Sequence, residues 1–408
     1  MQPCQSPPRL FYAFFVFAVP LFDILCTQLT IRLSQSILIP VMRKILIAPR
    51  RYVQGPHVIA ELGELLKPLG TKALLLWDVP LKEIVGNTVR QSLQQGGIAF
   101  IEVDFQGEAT HAERKRVGDI AAKEGCNISV AIGGGKTLDV GKAAAIDHNM
   151  RIVTVPTIAS NDSPTSAASV WYDENHMFQK FDCWYFNPDL VLVDSRIIVN
   201  APVRSFVAGM GDALSTWVEM EASMQTRTKN LAGGTPTMAA EALAKLCFET
   251  LLEYGIDAKR DVENHVVTPA VEKVIEANTL LSGIGFESGS LATAHAIGNE
   301  LSNVQACMKA GMMHGEKVAF GIATQLCLDD SVTASYRNAL FDFMIAVGLP
   351  VTFADLNLAP LDTAVVRKIA ENCAMPGSLV HFHPFEVTAE SLYDAMMSAD
   401  ALGKSRKS

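Results

Sequence analysis

The chain has 408 residues, 49% hydrophobic and 19% charged, which is enough apolar material for two domains with buried cores and too much for a disordered protein. A formal net charge of -9, with no long Lys/Arg run, speaks against the basic face that a nucleic-acid partner requires. The eight cysteines are scattered without C-x-x-C spacing, so neither a disulfide framework nor a structural zinc site is expected, and reduced thiols in the cytoplasm fit best.

Leu10 to Phe22 is an apolar run broken by Pro20 and followed by Asp23. It is short for a bilayer span. Only Arg9 and the amino terminus flank it with positive charge, and no small-x-small cleavage site follows, so it makes a poor signal peptide. Residues 1–41 are read as an extension ahead of a true start at Met42, with a targeting segment or a membrane anchor as the alternatives.

From Met42 to about Asn200, apolar runs alternate with helix-like stretches. Ala73–Trp77, Ile98–Val103, Ile128–Ile132, Ile152–Val155 and Leu190–Val193 read as strands. Glu61–Leu69, Lys82–Gln95, His111–Glu124 and Thr137–Asp147 carry apolar residues at helical spacing. Strands alternating with helices predict an α/β domain over 42–201, built on a mostly parallel sheet, with Trp171-Tyr172 and Phe178–Phe186 as an inserted hairpin. After Ala201-Pro202 helical runs take over: Phe206–Ser223, Met238–Tyr254, Val267–Leu281, Gly289–Leu301, Glu316–Leu328, Ala334–Val347, Asp362–Ala374 and Ala389–Leu402. Residues 202–408 are therefore expected to be all helical, with a hinge over a cleft near 201.

Gly133-Gly134-Gly135-Lys136 leaves a buried strand and enters a helix. Bare backbone N–H groups at a helix N-terminus suit a dinucleotide pyrophosphate, although the run is neither G-x-G-x-x-G nor a Walker A loop. A glycine turn serving packing alone is the bland alternative. Asp78, just past Trp77, is placed to accept from an adenosine ribose, and its charge would repel a 2′-phosphate and favour NAD over NADP. The hydroxyl-rich stretch Pro156–Ser166 follows the next strand, at the edge where such sheets bind ligands.

Asp212 sits among small residues in Gly209–Leu214, His295 among alanines in Ala292–Ala296, and His314 beside Gly315. A lone histidine on an apolar helix is more often a core residue than a ligand. One carboxylate and two imidazoles together are what a catalytic divalent site needs, with one position left open. Combined with the glycine loop, they point to metal-assisted hydride transfer. His381-Phe382-His383 reads as loop or surface and not as a metal site.

These residues resemble the iron-containing (group III, metal-dependent) alcohol dehydrogenase family. The resemblance runs from Met42 to near the C-terminus through Arg51–Gly55, the glycine loop, Thr157–Ser160, Gly211–Leu214, Val266–Ala270, Gly285–Gly289 and His314–Gly321. It implies a Rossmann-like dinucleotide-binding α/β domain, an all-α C-terminal domain and a site in the cleft between them. Metal ligation would fall to Asp212, His295 and His314, with Zn²⁺ first and Fe²⁺ as the alternative. NAD contacts would fall to Asp78, Gly135, Lys136, Thr137, Leu138, Asp139, Thr157, Ser160, Ser166, Ala168 and Tyr172, and Asp162 would touch a small polyol substrate.

Within the family the resemblance implies oxidation of glycerol to dihydroxyacetone by a homo-oligomer, an octamer, with no membrane association. The metal would lower the pKa of a bound hydroxyl, and hydride would pass to the nicotinamide; no side chain stands out as general base. A 2-hydroxycarboxylate or 1,2-diol dehydrogenase is the alternative. A 3-dehydroquinate-synthase-like lyase is disfavoured, since residues 285–321 offer only Lys309 and Lys317 to grip an anionic substrate. The stretch Asn303–Met313 is more apolar than in some relatives and lacks their extra His and aromatic residues, which leaves the polyol open.

Overall fold

Short runs of Leu, Ile, Val and Ala, punctuated by polar turns, build the strands. The computed structural model describes residues 43–408, so the reading of residues 1–41 lies outside the described residues. The strands are β1 (Tyr52–Gly55), β2 (Lys72–Trp77), β3 (Ala99–Asp104), β4 (Ile128–Gly133), β5 (Arg151–Pro156), β6 (Ala168–Tyr172), β7 (Phe178–Cys183) and β8 (Leu190–Asp194). Six of them form one sheet in the order β1-β8-β5-β4-β2-β3, and every pairing in it is parallel. β4 and β8 are buried along their whole length, as strands covered on both faces must be. β6 and β7 form the separate antiparallel hairpin. β1 has no counterpart in the hydrophobic pattern: Tyr52-Val53-Gln54-Gly55 is a half-buried edge strand whose Gln54 side chain donates to the Glu272 carbonyl and carboxylate.

The winding reverses at β2, which has β3 on one side and β4, then β5, on the other. Ligands of open parallel sheets bind at such a point, beyond the carboxyl ends of the strands. Asp78 follows β2, the glycine loop follows β4, and Thr157–Ser166 follow β5, so three separate sequence stretches meet on one edge. The Asp78 amide donates to Ile132 O at 3.0 Å, and the Thr157 amide donates to Gly133 O at 3.1 Å, tying the three together.

After Pro202 the regular elements among the described residues are helical, apart from an isolated bridge between Lys44 and Thr235. Val203–Ser223 is the central helix, buried over most of its surface. Met238–Glu263 runs well past Tyr254, because Gly255 is a packing residue and not a stop: a Cβ there would lie 2.9 Å from Phe343 Cζ. Pro269–Glu276, a π turn at Ala277–Leu281 and Ser282–Ser288 form one continuous run, and the next helix starts only at Thr293.

Val191, Val193, Ile198 and Val199 share one apolar cluster with Phe206, Met210, Leu214 and Ile322. The secondary structure thus changes near residue 201 while the core runs on, and Lys44–Ser408 form a single compact unit. No helix among the described residues is long and apolar enough to cross a membrane, and the six described cysteines are free thiols.

Candidate metal and dinucleotide site

Two glycines bring Asp212 to His314. A Cβ on Gly211 would sit 2.4 Å from Gly315 O, and one on Gly315 would sit 1.8 Å from Ala208 O. Without side chains, Val203–Ser223 and His314–Leu328 cross at backbone contact. His314 opens its helix, whose first turn is fixed by Glu316: Oε2 accepts from the Met313 amide at 2.7 Å, and the carboxylate takes a bidentate contact from Arg204.

His295 lies in the first turn of Thr293–Leu301. The amides of Ala292 and His295 both donate to Glu219 Oε1 at 2.8 Å, so this buried carboxylate caps the helix. Glu219 Oε2 lies 2.6 Å from His295 Nδ1. A carboxylate only accepts, so Nδ1 carries the proton and Nε2 is turned toward Asp212. Asp212 Oδ1 lies 3.6 Å from His295 Nε2 and 3.4 Å from His314 Nε2.

One donor atom from each of the three side chains lies within 4.8 Å of the others, and no other such trio occurs among the described residues. That spacing suits donors each about 2.0–2.2 Å from a shared ion. Both Asp212 carboxyl oxygens are buried without a hydrogen-bond partner among the described residues. Burial, reinforced by Asp162, holds the Asp212 carboxyl well above the usual carboxylate range, against the pull of His295. Burial, then His295 and Lys317, push His314 well below its ordinary value. Burial also pulls His295 down, but Glu219, Asp212 and Asp162 outweigh it and hold the ring up at about 9. An unpartnered buried carboxylate is costly. A divalent cation facing one neutral imidazole, one oriented imidazole and that carboxylate removes the cost, so the residues fit a metal.

One cleft, with Asp212 buried outside its lining, joins the two histidines of this trio to the sheet edge. Of the expected cofactor contacts it is lined by Gly135, Lys136, Asp139, Ser166, Ala168 and Tyr172, and Asp162, His295 and His314 line it as well. Phe178, Phe181, Leu231, Phe286 and Leu291 make its apolar wall. Asp78, Thr137, Leu138, Thr157 and Ser160 are not among its lining residues; the last four are buried behind it. Asp78 stands half-buried beside Gly133, where a Cβ would lie 2.9 Å from its own Cβ. Burial raises its carboxyl above the ordinary value.

The Asp139 carboxylate is engaged internally, accepting from Ser163 Oγ at 2.6 Å and from the Val170 amide at 3.0 Å. Lys136 Nζ donates to Glu108 Oε2 at 2.6 Å and lies 4.5 Å over the Tyr172 ring. Asp162 Oδ2 accepts from Ser282 Oγ at 3.0 Å.

The expectation for His381-Phe382-His383 needs correcting in part. His381 is exposed, but His383 is 4% exposed, and its Nε2 lies 2.9 Å from Thr293 Oγ1, at the base of the helix carrying His295. The loop reading holds, but not the surface one for His383: residues 379–382 form a 3₁₀ turn, and His383 just after it is buried. Glu219 was missed from the sequence. Its signal is its place seven residues after Asp212, two turns along the same face of the helix.

A sequence profile described as iron-containing alcohol dehydrogenase matches residues 49–195. A glycerol dehydrogenase of Pseudomonas putida is 42% identical over 357 residues, spanning 88% of this chain and 97% of that relative. A glycolaldehyde reductase of Halobacterium salinarum is 39% identical over 89% of this chain and 99% of its own length. The crystal structure of a probable glycerol dehydrogenase from Sinorhizobium meliloti 1021 superposes with a TM-score of 0.84 at 38% identity, covering 89% of this chain and 100% of that one.

Proposed function

The chain belongs to the iron-containing alcohol dehydrogenase family, and we propose that it is an NAD- and divalent-metal-dependent dehydrogenase oxidising glycerol to dihydroxyacetone. The observation that carries the reading is the Asp212 carboxylate, buried without a hydrogen bond behind two imidazoles that line the cleft shared with the glycine-loop residues. Asp212, His295 and His314 hold the metal, with zinc as the proposed ion and iron as the alternative. When bound, the ion supplies a Lewis acid that makes a substrate hydroxyl acidic, and the nicotinamide supplies the hydride acceptor.

This chain's own residues do the positioning. Gly135, Lys136, Thr137, Leu138, Asp139, Thr157, Ser160, Ser166, Ala168 and Tyr172 hold the dinucleotide at the switch point. Asp78 faces the adenosine ribose and selects NAD. Asp162, anchored by Ser282, meets the second hydroxyl of the polyol. The apolar wall of Phe286 and Leu291 limits water around the reacting carbon. The active form is a homo-oligomer acting on a small polyol.

Lys136 is the one Lys or Arg among the described residues lining the cleft, and Glu108 already takes its charge. An anionic hydroxycarboxylate or phosphorylated substrate therefore finds no uncompensated Lys or Arg lining the cleft, which favours a neutral diol. Reduction of a small hydroxyaldehyde is the second reading, supported by the similarity to the H. salinarum glycolaldehyde reductase. Steady-state assays over polyols, hydroxyaldehydes and 2-hydroxy acids, with NAD and NADP and with defined metals, decide between them. A kcat/KM for a 2-hydroxy acid above that for every polyol would overturn the reading.

A further inference from the structure

The segment 162–167 between β5 and β6 forms neither helix nor strand, yet together with Ala168 at the start of β6 it presents Asp162, Ser163 and Ser166 to the cleft. Irregular backbone keeps a fixed shape only if its polar groups find partners. Thr154 and the Trp184 amide supply some of these partners, bonding Pro164 O and Ala167 O, and two buried side chains on opposite sides supply others. Lys142, in the helix that follows the glycine loop, is 1% exposed. Its Nζ donates to Ser163 O at 2.8 Å, lies 3.3 Å from Ser166 O, and is bonded to Ala168 O. Asp139, 2.9 Å from the same nitrogen, balances the charge and also accepts from Ser163 Oγ.

From the other side comes Glu287 of Ser282–Ser288, also 1% exposed. One of its oxygens accepts from the Ala167 amide, and the other accepts from Asn187 Nδ2 at 2.7 Å. Asn187 Nδ2 in turn donates to Thr165 O at 3.0 Å. Carbonyls are thus gripped from the sheet side, and an amide is gripped from the helical side.

We propose that Lys142 and Glu287 are paired positioning residues, which set the cleft-facing groups of residues 162–168 for cofactor and substrate. The proposal rests on the functional reading above in one respect, that Ser166 and Ala168 meet the dinucleotide. A buried ammonium is costly unless every proton is bonded. Lys142 meets that condition only with this loop shape, so the loop shape and the lysine enforce each other. An apolar side chain of equal volume would fill the space and leave the Ser163 and Ser166 carbonyls without this donor.

The test uses Lys142→Met, Glu287→Gln and the double variant of the full chain. NAD affinity is read by fluorescence titration of metal-free protein, alongside metal content and steady-state kinetics after loading. Lys142→Met should weaken NAD binding at least tenfold and raise KM for glycerol by more than it lowers kcat, while one metal per chain is retained. Glu287→Gln keeps an acceptor for Ala167 but turns an amide donor toward Asn187, and should weaken NAD binding threefold or more. Because both residues act through one loop, the double variant should fall short of the product of the two effects. NAD affinity within twofold of wild type in both single variants, multiplying effects, or loss of metal in step with NAD would overturn the proposal. If Lys142→Met does not fold, Glu287→Gln decides alone by the same readouts. Wild-type protein that binds no NAD would instead count against the functional reading, so the two failures are separable.

Discussion

Glu219→Gln isolates what a single proton does at the metal site. The glutamine keeps an oxygen for the Ala292 and His295 amides, so the helix cap survives. Its amide nitrogen replaces Oε2, which lies 2.6 Å from His295 Nδ1. A donor now faces a donor, and the imidazole must move its proton to Nε2, the atom 3.6 Å from Asp212 Oδ1. Nε2 then has no lone pair for an ion. Orienting partners of metal-bound histidines are worth about 10–100-fold in affinity, or roughly 1.4–2.7 kcal/mol. We expect metal affinity, read by competition with a chelator of known strength, to fall by about that factor. Turnover should drop at limiting metal and recover substantially at saturating metal, with NAD affinity unchanged. Glu219→Ala should do more, since it strands two buried amides at about 1–3 kcal/mol each and lowers Tm. Metal affinity of Glu219→Gln within threefold of wild type would refute the tautomer argument.

Three further outcomes follow from the same geometry. His295→Ala and His314→Ala should each abolish stoichiometric metal and alcohol oxidation while leaving NAD affinity within about threefold, because two protein donors hold an ion poorly; stoichiometric metal with near-normal turnover in either would remove that residue from the ligand set. Asp78→Gly should narrow the ratio of kcat/KM for NAD over NADP, and an unchanged ratio would place Asp78 away from the ribose. In metal-free protein, His295 is held up at about 9 against an ordinary 6.5, so its proton stabilises the fold fully below pH 6.5 and that stabilisation is lost as pH rises through 9. The urea midpoint should therefore fall across that window, by roughly 3 kcal/mol in stability, and the fall should flatten in Glu219→Gln; a wild-type midpoint that is level from pH 6.5 to 9 would show that Glu219 does not charge the ring.

Much of this architecture was legible because local pattern and global fold agree. β2, β4, β5 and β8 are strands of five or six residues dominated by apolar side chains, which is how a strand buried on both faces must look. The trio of Asp212, His295 and His314 was legible for a related reason: a charged or ionisable side chain in an apolar helix needs an explanation, and three such cases explain one another. What escaped has a common physical origin. β1 gains its place from β8 and from Gln54 reaching Glu272, contacts that no period of two can signal in four residues. The course of Met238–Glu263 through Gly255 depends on a phenylalanine 88 positions away in sequence, so a glycine read locally as a stop is in space a contact. His383 sits in a loop, as its sequence suggests, and is buried against Thr293, a partner 90 positions away.

Lys142 and Glu287 look in sequence like ordinary helix-face charges, and Glu219 differs only in its spacing from Asp212. Only packing shows that each is buried against backbone groups of a segment distant in sequence. Side chains that touch metal or substrate advertise themselves by residue type in an unexpected setting. Those that hold the first group in place bond to backbone, and backbone has no residue type to betray the partnership. The part of the site invisible in sequence is therefore its support, and perturbing Glu219, Lys142 or Glu287 probes how much of the chemistry that support carries.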